Sequence, residues 1–191
     1  MKAFEKLQEF KANTIDLRER EESMKFGLEI FDIEPIHYPE LQIVEREISL
    51  LSSIWEVKEE WDKKWEEWKE IRFCDADIEE LGNDGEDFKA RIEKMDKELK
   101  EWGVYNYQKQ QIVQFTDTLT LLEQLKTEAM RERHWKDIRF EVKADFDENS
   151  EDFTLDKLFS LGLLAHQGFI YELVDNAKKQ LRIETDLAKI E

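Results

Sequence analysis

The chain has little of what interrupts regular structure: its 191 residues hold 6 Gly and 2 Pro, where average usage would give roughly ten prolines. Few residues remain that punctuate strands and turns, which predicts long helices. Cysteine occurs once, at Cys74, so no internal disulfide can form and a reducing, intracellular compartment fits. Apolar runs are short. None approaches the roughly 20 residues needed to cross a bilayer, and no charged, apolar, small-residue signal pattern follows Met1. Positive charge is outnumbered, with 29 Lys and Arg against 47 Asp and Glu and a net charge of -18. Nucleic-acid binding draws its affinity from cations that displace counterions, so no nucleic acid is expected as a partner. Acidic membranes are disfavoured on the same ground.

Motifs for chemistry are also missing. No GxxxxGKS/T, GxGxxG or GxSxG sequence occurs, which removes the common phosphate cradles and the nucleophile elbow. His37, His134 and His166 lie far apart, Cys74 stands alone, and no CxxC or paired-histidine spacing exists. The expectation is a chain with no catalytic residue and no cofactor.

What is present is a strongly patterned, aromatic-rich sequence. Hydrophobic and charged residues each reach 40%, with 6 Trp and 12 Phe. That is too aromatic for a disordered chain, and the length suits one sizeable core or two small bundles.

Apolar positions Phe4, Leu7, Phe10, Leu17 and Met24 recur at helical spacings and predict helix one from Lys2 to about Phe26, with one narrow buried stripe. "GLEIFDIEPIHYPE" breaks the period with Gly27, Pro35 and Pro39. Pro39 suits the first turn of helix two, whose stripe Leu41, Val44, Ile48, Leu51, Trp55, Trp61, Trp65 and Trp68 predicts a rod of roughly 45 Å. "FCDADIEELGNDGED" reads as a loop around one short helix. Helix three is then expected from about Glu86 to Trp102, and helix four from about Tyr105 to Lys126. No repeat of fixed period is present.

"TEAMRERHWKDI", Thr127 to Ile138, joins a basic run to a histidine and a tryptophan. It could be read as a catalytic or phosphate-binding element. Its periodicity argues for architecture: with Thr127 as cap, Met130, His134, Ile138 and Val142 recur every fourth residue of helix five, and Trp135 adjoins them. Arg131, Arg133, Lys136 and Arg139 are expected to pair with nearby carboxylates. Thr154 caps helix six in "LDKLFSLGLL", and helix seven runs from about His166 to the end through Leu187 and Ile190. Its apolar pattern lacks a stop signal, which predicts a helix that continues in a longer natural protein.

The connector "KADFDENSEDF" holds a weak metal candidate. Asp145, Asp147 and Asn149 take positions one, three and five of an EF-hand-like loop, with Asp156 at twelve. Ser150 stands where the turn needs Gly, and Asp156 where a bidentate Glu belongs, so a solvated acidic connector is the preferred reading and no metal is expected.

Several stretches together resemble one family. "LLEQLKTEAMRERHWKDIRFEV", an acidic connector, "FTLDKLFSLGL" and "VDNAKKQLRIETDLAKIE" follow the order found in the N-terminal part of the linker region of dynein heavy chains. "LEIFDIEPIHYPEL" and "ISLLSSIWEVKEEWDKKWEEW" extend the likeness upstream, and essentially the whole chain is covered. Gln180 departs from a usual Glu, and "FEV" looks more axonemal than cytoplasmic. Its structural signature is Met130, Arg133, His134, Trp135, Phe153, Thr154 and Leu155.

The expected fold is all-α: an elongated array of about seven helices in consecutive antiparallel bundles, the first at about 1–102 and the second at about 105–191. The resemblance implies a non-catalytic lever that transmits ATP-driven changes of an AAA+ ring to the tail, with nucleotide sites elsewhere in the parent chain. It implies the remainder of the heavy chain and further dynein subunits as partners, in the cytoplasm, on the cytoskeleton, in a ciliary or flagellar axoneme. A spectrin-like scaffold or tail module binding partner subunits is the alternative, which composition alone does not separate from the linker.

Overall fold

The computed structural model describes residues 2–189, and the side chains of residues 4–189. Seven α-helices follow in order among these residues: α1 Lys2–Ile30, α2 Pro39–Trp68, α3 Ile78–Glu93, α4 Gly103–Leu125, α5 Glu132–Val142, α6 Leu155–Ser160 and α7 Gln167–Ala188. Short 3₁₀ turns occupy Lys97–Glu101 and Leu163–His166. The described residues contain no strand, only an isolated antiparallel bridge between Arg72 and Thr154. The chain is therefore all-α. No helix among the described residues is long and apolar enough to cross a membrane. Ile190, expected in the stripe of the last helix, lies outside the described residues.

The residues group into two compact units, one of Met1–Glu60 with Met95–Asn106, the other of Trp61–Lys94 with Tyr107–Glu191. In the first, α1 buries Leu7 and Thr14, and α2 buries Ile48, Ser52, Ile54 and Val57, with Leu99 and Tyr105 completing the core. Arg18 ties the two helices, donating from Nε to Glu45 at 2.9 Å and from its terminal nitrogen at 2.6 Å. That bidentate contact holds the Glu45 carboxyl below its usual range. The expected α1 stripe is corrected here, because Phe10, Leu17 and Met24 are each more than half exposed. At 3.6 residues per turn they sit about 60° around the helix from the line through Leu7 and Thr14. A single neighbouring helix covers only one of these two lines.

The second unit is built on aromatics. Trp61, Trp65 and Trp68 of α2, at steps of four and three, converge on Phe115 of α4: Trp68 stacks on it at 4.9 Å, and Trp61 and Trp65 meet it edge-on at 5.2 and 6.2 Å. Phe159 of α6 stacks on it too, at 5.4 Å.

Helix α3 corrects a second expectation. Gly82 and Gly85 lie inside it, and it ends at Glu93, not Trp102. Asp77 supplies the start: its side chain accepts from the backbone N–H of Glu79 at 3.1 Å and of Glu80 at 3.0 Å, satisfying donors a helix start leaves open. Burial of Leu81, Gly85, Phe88 and Ile92 then holds the glycine-bearing stretch helical. The predicted end of helix three is a separate 3₁₀ turn under Asp96, which accepts from Glu98 N–H at 3.0 Å.

The two glycines have opposite roles. A Cβ on Gly85 would stand 2.9 Å from Thr116 Cγ2 and 3.3 Å from the Phe115 ring, whereas one on Gly82 would meet nothing within 4 Å. Gly82→Ala should raise stability by about 0.5–1 kcal/mol through helix propensity. Gly85→Ala should lower it by about 1–3 kcal/mol through overpacking. Urea midpoints shifting in the same direction for both variants would refute the close approach at Gly85.

Candidate functional site

The stretch around "RERHW" forms a joint in the second unit. Helix α5 starts later than its sequence pattern predicts, at Glu132 with Arg131 as cap rather than at Thr127. His134 decides the start: its Nδ1 accepts from the Arg131 backbone N–H at 3.1 Å, as a Glu or Gln does at the third position of many helices. With Nδ1 accepting, Nε2 is the ring's donor, and it donates to Gln180 Oε1 at 3.2 Å. Arg133 Nε lies 3.4 Å from the same ring nitrogen, and this longer approach yields to the Gln180 bond because Nε2 cannot both donate and accept. Arg133 also donates to Gln180 Oε1 at 2.7 Å and to Glu184 at 3.1 Å. The start of α5 is thus fastened to α7.

Trp135 is buried at 7% exposure. Its ring meets Phe73 at 5.8 Å and Phe146 at 6.3 Å, both edge-on. Phe153 of the "FTL" element closes the cluster, stacking on Phe146 at 4.9 Å and meeting Phe73 at 5.9 Å. The ring contacts thus run from Trp135 to Phe153 of "FTL" through Phe73 and Phe146. Backbone bonds lock the arrangement: Phe73 N–H donates to Phe153 O at 2.9 Å, Leu155 N–H to Ile71 O at 2.9 Å and Asp156 N–H to Lys69 O at 3.1 Å. Thr154 sits between them in the bridge to Arg72 and caps α6 without a side-chain bond.

Arg139 joins α5 to the acidic connector. It donates to Phe146 O at 2.9 Å and to the buried carboxylate of Glu148 at 2.8 Å, pairs with Glu132, and lies 5.7 Å from the Phe146 ring. The basic residues Arg131, Arg133 and Arg139 all face carboxylates. Within the weak metal candidate, Asp145, Asp147, Asn149 and Asp156 are all exposed, and Asp147 Oδ1 accepts from Asn149 N–H at 2.9 Å. Among the described residues no cluster of three or more His, Cys, Asp or Glu side chains could hold a metal ion.

Sequence reasoning missed Phe73, Phe146 and the Arg139–Glu148 pair. The available signal was Phe146, an apolar residue set in "DFDEN", and Glu148 two positions on. Met130 and Val142, at the ends of the predicted stripe, are half-buried, while His134 and Ile138 in its middle are buried.

A family model described as dynein heavy chain, N-terminal region 2, matches residues 41–191. The chain belongs to the dynein heavy chain family. It is 35% identical over 192 residues to human dynein axonemal heavy chain 2, covering 100% of this chain and 4% of that protein. It is 33% identical over 188 residues to the dynein-1-beta heavy chain of a flagellar inner arm complex of Chlamydomonas reinhardtii, covering 98% of this chain and 4% of that protein. Human dynein axonemal heavy chain 10 shares 32% over 161 residues, 84% of this chain and 4% of its own length. The chain thus spans about 4% of the length of the relatives it matches. Its axonemal character, read from "FEV", agrees with the axonemal and flagellar names of these relatives.

Truncating Trp135 opens a cavity against Phe73 and Phe146, and comparable core changes cost about 3–5 kcal/mol. Trp135→Ala should therefore lower the urea midpoint sharply, with His134→Gln costing less because Gln can still accept from Arg131 N–H. Equal losses for the two would show that the capping bond, not the aromatic cluster, holds the joint. Millimolar calcium should leave the melting temperature of the wild type in place, since only a ligand of the native state raises it. A calcium-specific rise that magnesium does not reproduce would establish the Asp145–Asp156 loop as a site.

Proposed function

We propose that this segment is a non-catalytic mechanical element, the linker of a microtubule-based dynein motor, passing ATP-driven changes of a AAA+ ring to the tail. The single observation that supports the reading is the joint at α5. A short helix is bonded at its start to α7 through His134 and Arg133 and at its end to the connector through Arg139, over a cluster of four aromatic rings. Interdigitated rings in staggered contact resist small displacements, because close-packed interiors have few soft modes. A part of that kind transmits a displacement rather than absorbing it.

The nucleotide sites of the motor lie elsewhere in the heavy chain on this reading. The exposed Phe10, Leu17, Met24, Phe26, Ile30 and Phe31 of the first unit form apolar surface of the sort that is covered in an assembly; the remainder of the heavy chain is the proposed cover, with further dynein subunits as additional partners. The similarity to axonemal and flagellar chains supports a cytoskeletal location in cilia or flagella.

In a full-length motor, Trp135→Ala should reduce microtubule gliding velocity several-fold while basal ATP hydrolysis changes little, since a softened joint loses motion and not chemistry. The isolated segment should show no micromolar ATP affinity by calorimetry. Loss of ATPase with gliding preserved per ATP consumed would sink the mechanical reading.

A further inference from the structure

Three glutamines follow at three-residue steps along α4: Gln108, Gln111 and Gln114. Gln108 is fully buried, yet neither its Oε1 nor its Nε2 has a hydrogen-bond partner. A buried amide in that state carries its whole desolvation cost with nothing in return, so an apolar residue of the same size would serve the core better unless the amide meets something from outside. Gln108 lines a recess of about 300 Å³ in the second unit, whose walls include Trp61, Trp65 and Phe159 and whose lining also contains Asp62. The volume suits one side chain.

The three chemistries present select its class. Aromatic faces attract a cation, and a planar guanidinium best of all because it also stacks. A carboxylate takes a guanidinium edge in paired hydrogen bonds. An amide oxygen accepts a further N–H, and the amide nitrogen can donate to a backbone carbonyl of the same ligand. A chain of net charge -18 draws in cationic partners before contact.

We propose that this recess binds an arginine side chain presented by a protein partner, with the guanidinium stacked against Trp65, its edge toward Asp62 and one N–H given to Gln108 Oε1. This stands independently of the mechanical role, since it concerns which partner side chain the second unit captures.

The test uses the 191-residue protein and two probes of nearly the same shape, N-acetyl-arginine methylamide and its uncharged citrulline counterpart, titrated by tryptophan fluorescence and indole N–H chemical shifts. The arginine probe should give a saturable change that weakens with salt, and the citrulline probe none. Gln108→Leu should raise the melting temperature and weaken the arginine probe at least several-fold, while Asp62→Asn weakens it similarly and keeps the fold by circular dichroism. Equal response to both probes, no saturation with arginine, or undiminished binding by Gln108→Leu overturns the proposal. A melting temperature lowered by Gln108→Leu overturns it as well, because the amide would then already be paired.

Discussion

The interaction on which the second unit depends is the ring of Phe115, held face-on by Trp68 and Phe159 and edge-on by Trp61 and Trp65. Each aromatic pair contributes roughly 0.5–1.5 kcal/mol beyond its buried area, but the geometric demand matters more. To bring three indoles onto one phenyl ring, α2 must present Trp61, Trp65 and Trp68 on a single face, which only an unbroken helix does. To let α3 approach the same region, residue 85 must have no side chain. Helix α6, six residues long and marginal on its own, is held in part by Phe159 on Phe115 and in part by backbone bonds to the 69–73 segment.

The α5 joint works on a different balance. Its hydrophobic cluster is surrounded by charges, yet the imidazole beside it is bound to uncharged groups, accepting from a backbone N–H and donating to an amide. Gln180 brings a neutral amide to this ring, which leaves Glu184 as the carboxylate that meets Arg131 and Arg133. The buried Glu148 is satisfied by Arg139, which also binds the adjacent carbonyl. Breaking such a pair from one side leaves a buried charge, and that penalty exceeds the net worth of the pair itself. The charges therefore define where α5 sits more than they add to stability.

Helices were legible where one periodic stripe met one partner face. The spacing in α2, α4 and α7 and the proline at Pro39 describe those elements from sequence to within a few residues, and "TEAMRERHW" read correctly as a buried stripe around His134 and Ile138. The glycines of α3 misled because a glycine demanded by close packing and one tolerated by a well-capped helix look alike in sequence. The start of α5 was misplaced because a histidine performed the capping role that threonine ordinarily signals. The aromatic cluster at Trp135 was half visible: its tryptophan announced itself, while Phe73 and Phe146 sit in irregular segments, where no period points at a core. Family membership was legible from motif order, a signal independent of any of these physical rules.

The two units differ in how well they satisfy their own apolar residues. In the second, most large apolar side chains of the described residues are covered, and the exposed ones, Tyr107, Phe140, Tyr171, Ile183 and Leu187, are scattered along α4, α5 and α7. In the first, α1 and the connector after it leave Phe26, Ile30, Phe31 and Ile36 each at least 65% exposed. The family match begins at residue 41, so this under-packed stretch is the part that precedes it. Among the described side chains of α1, Leu7 is the one large buried apolar residue, and the Arg18–Glu45 contact is the tie to α2. Segments with so few buried contacts open at a small fraction of the global unfolding free energy, so α1 should be the first part of the fold to exchange its amide protons in a native-state hydrogen-exchange measurement.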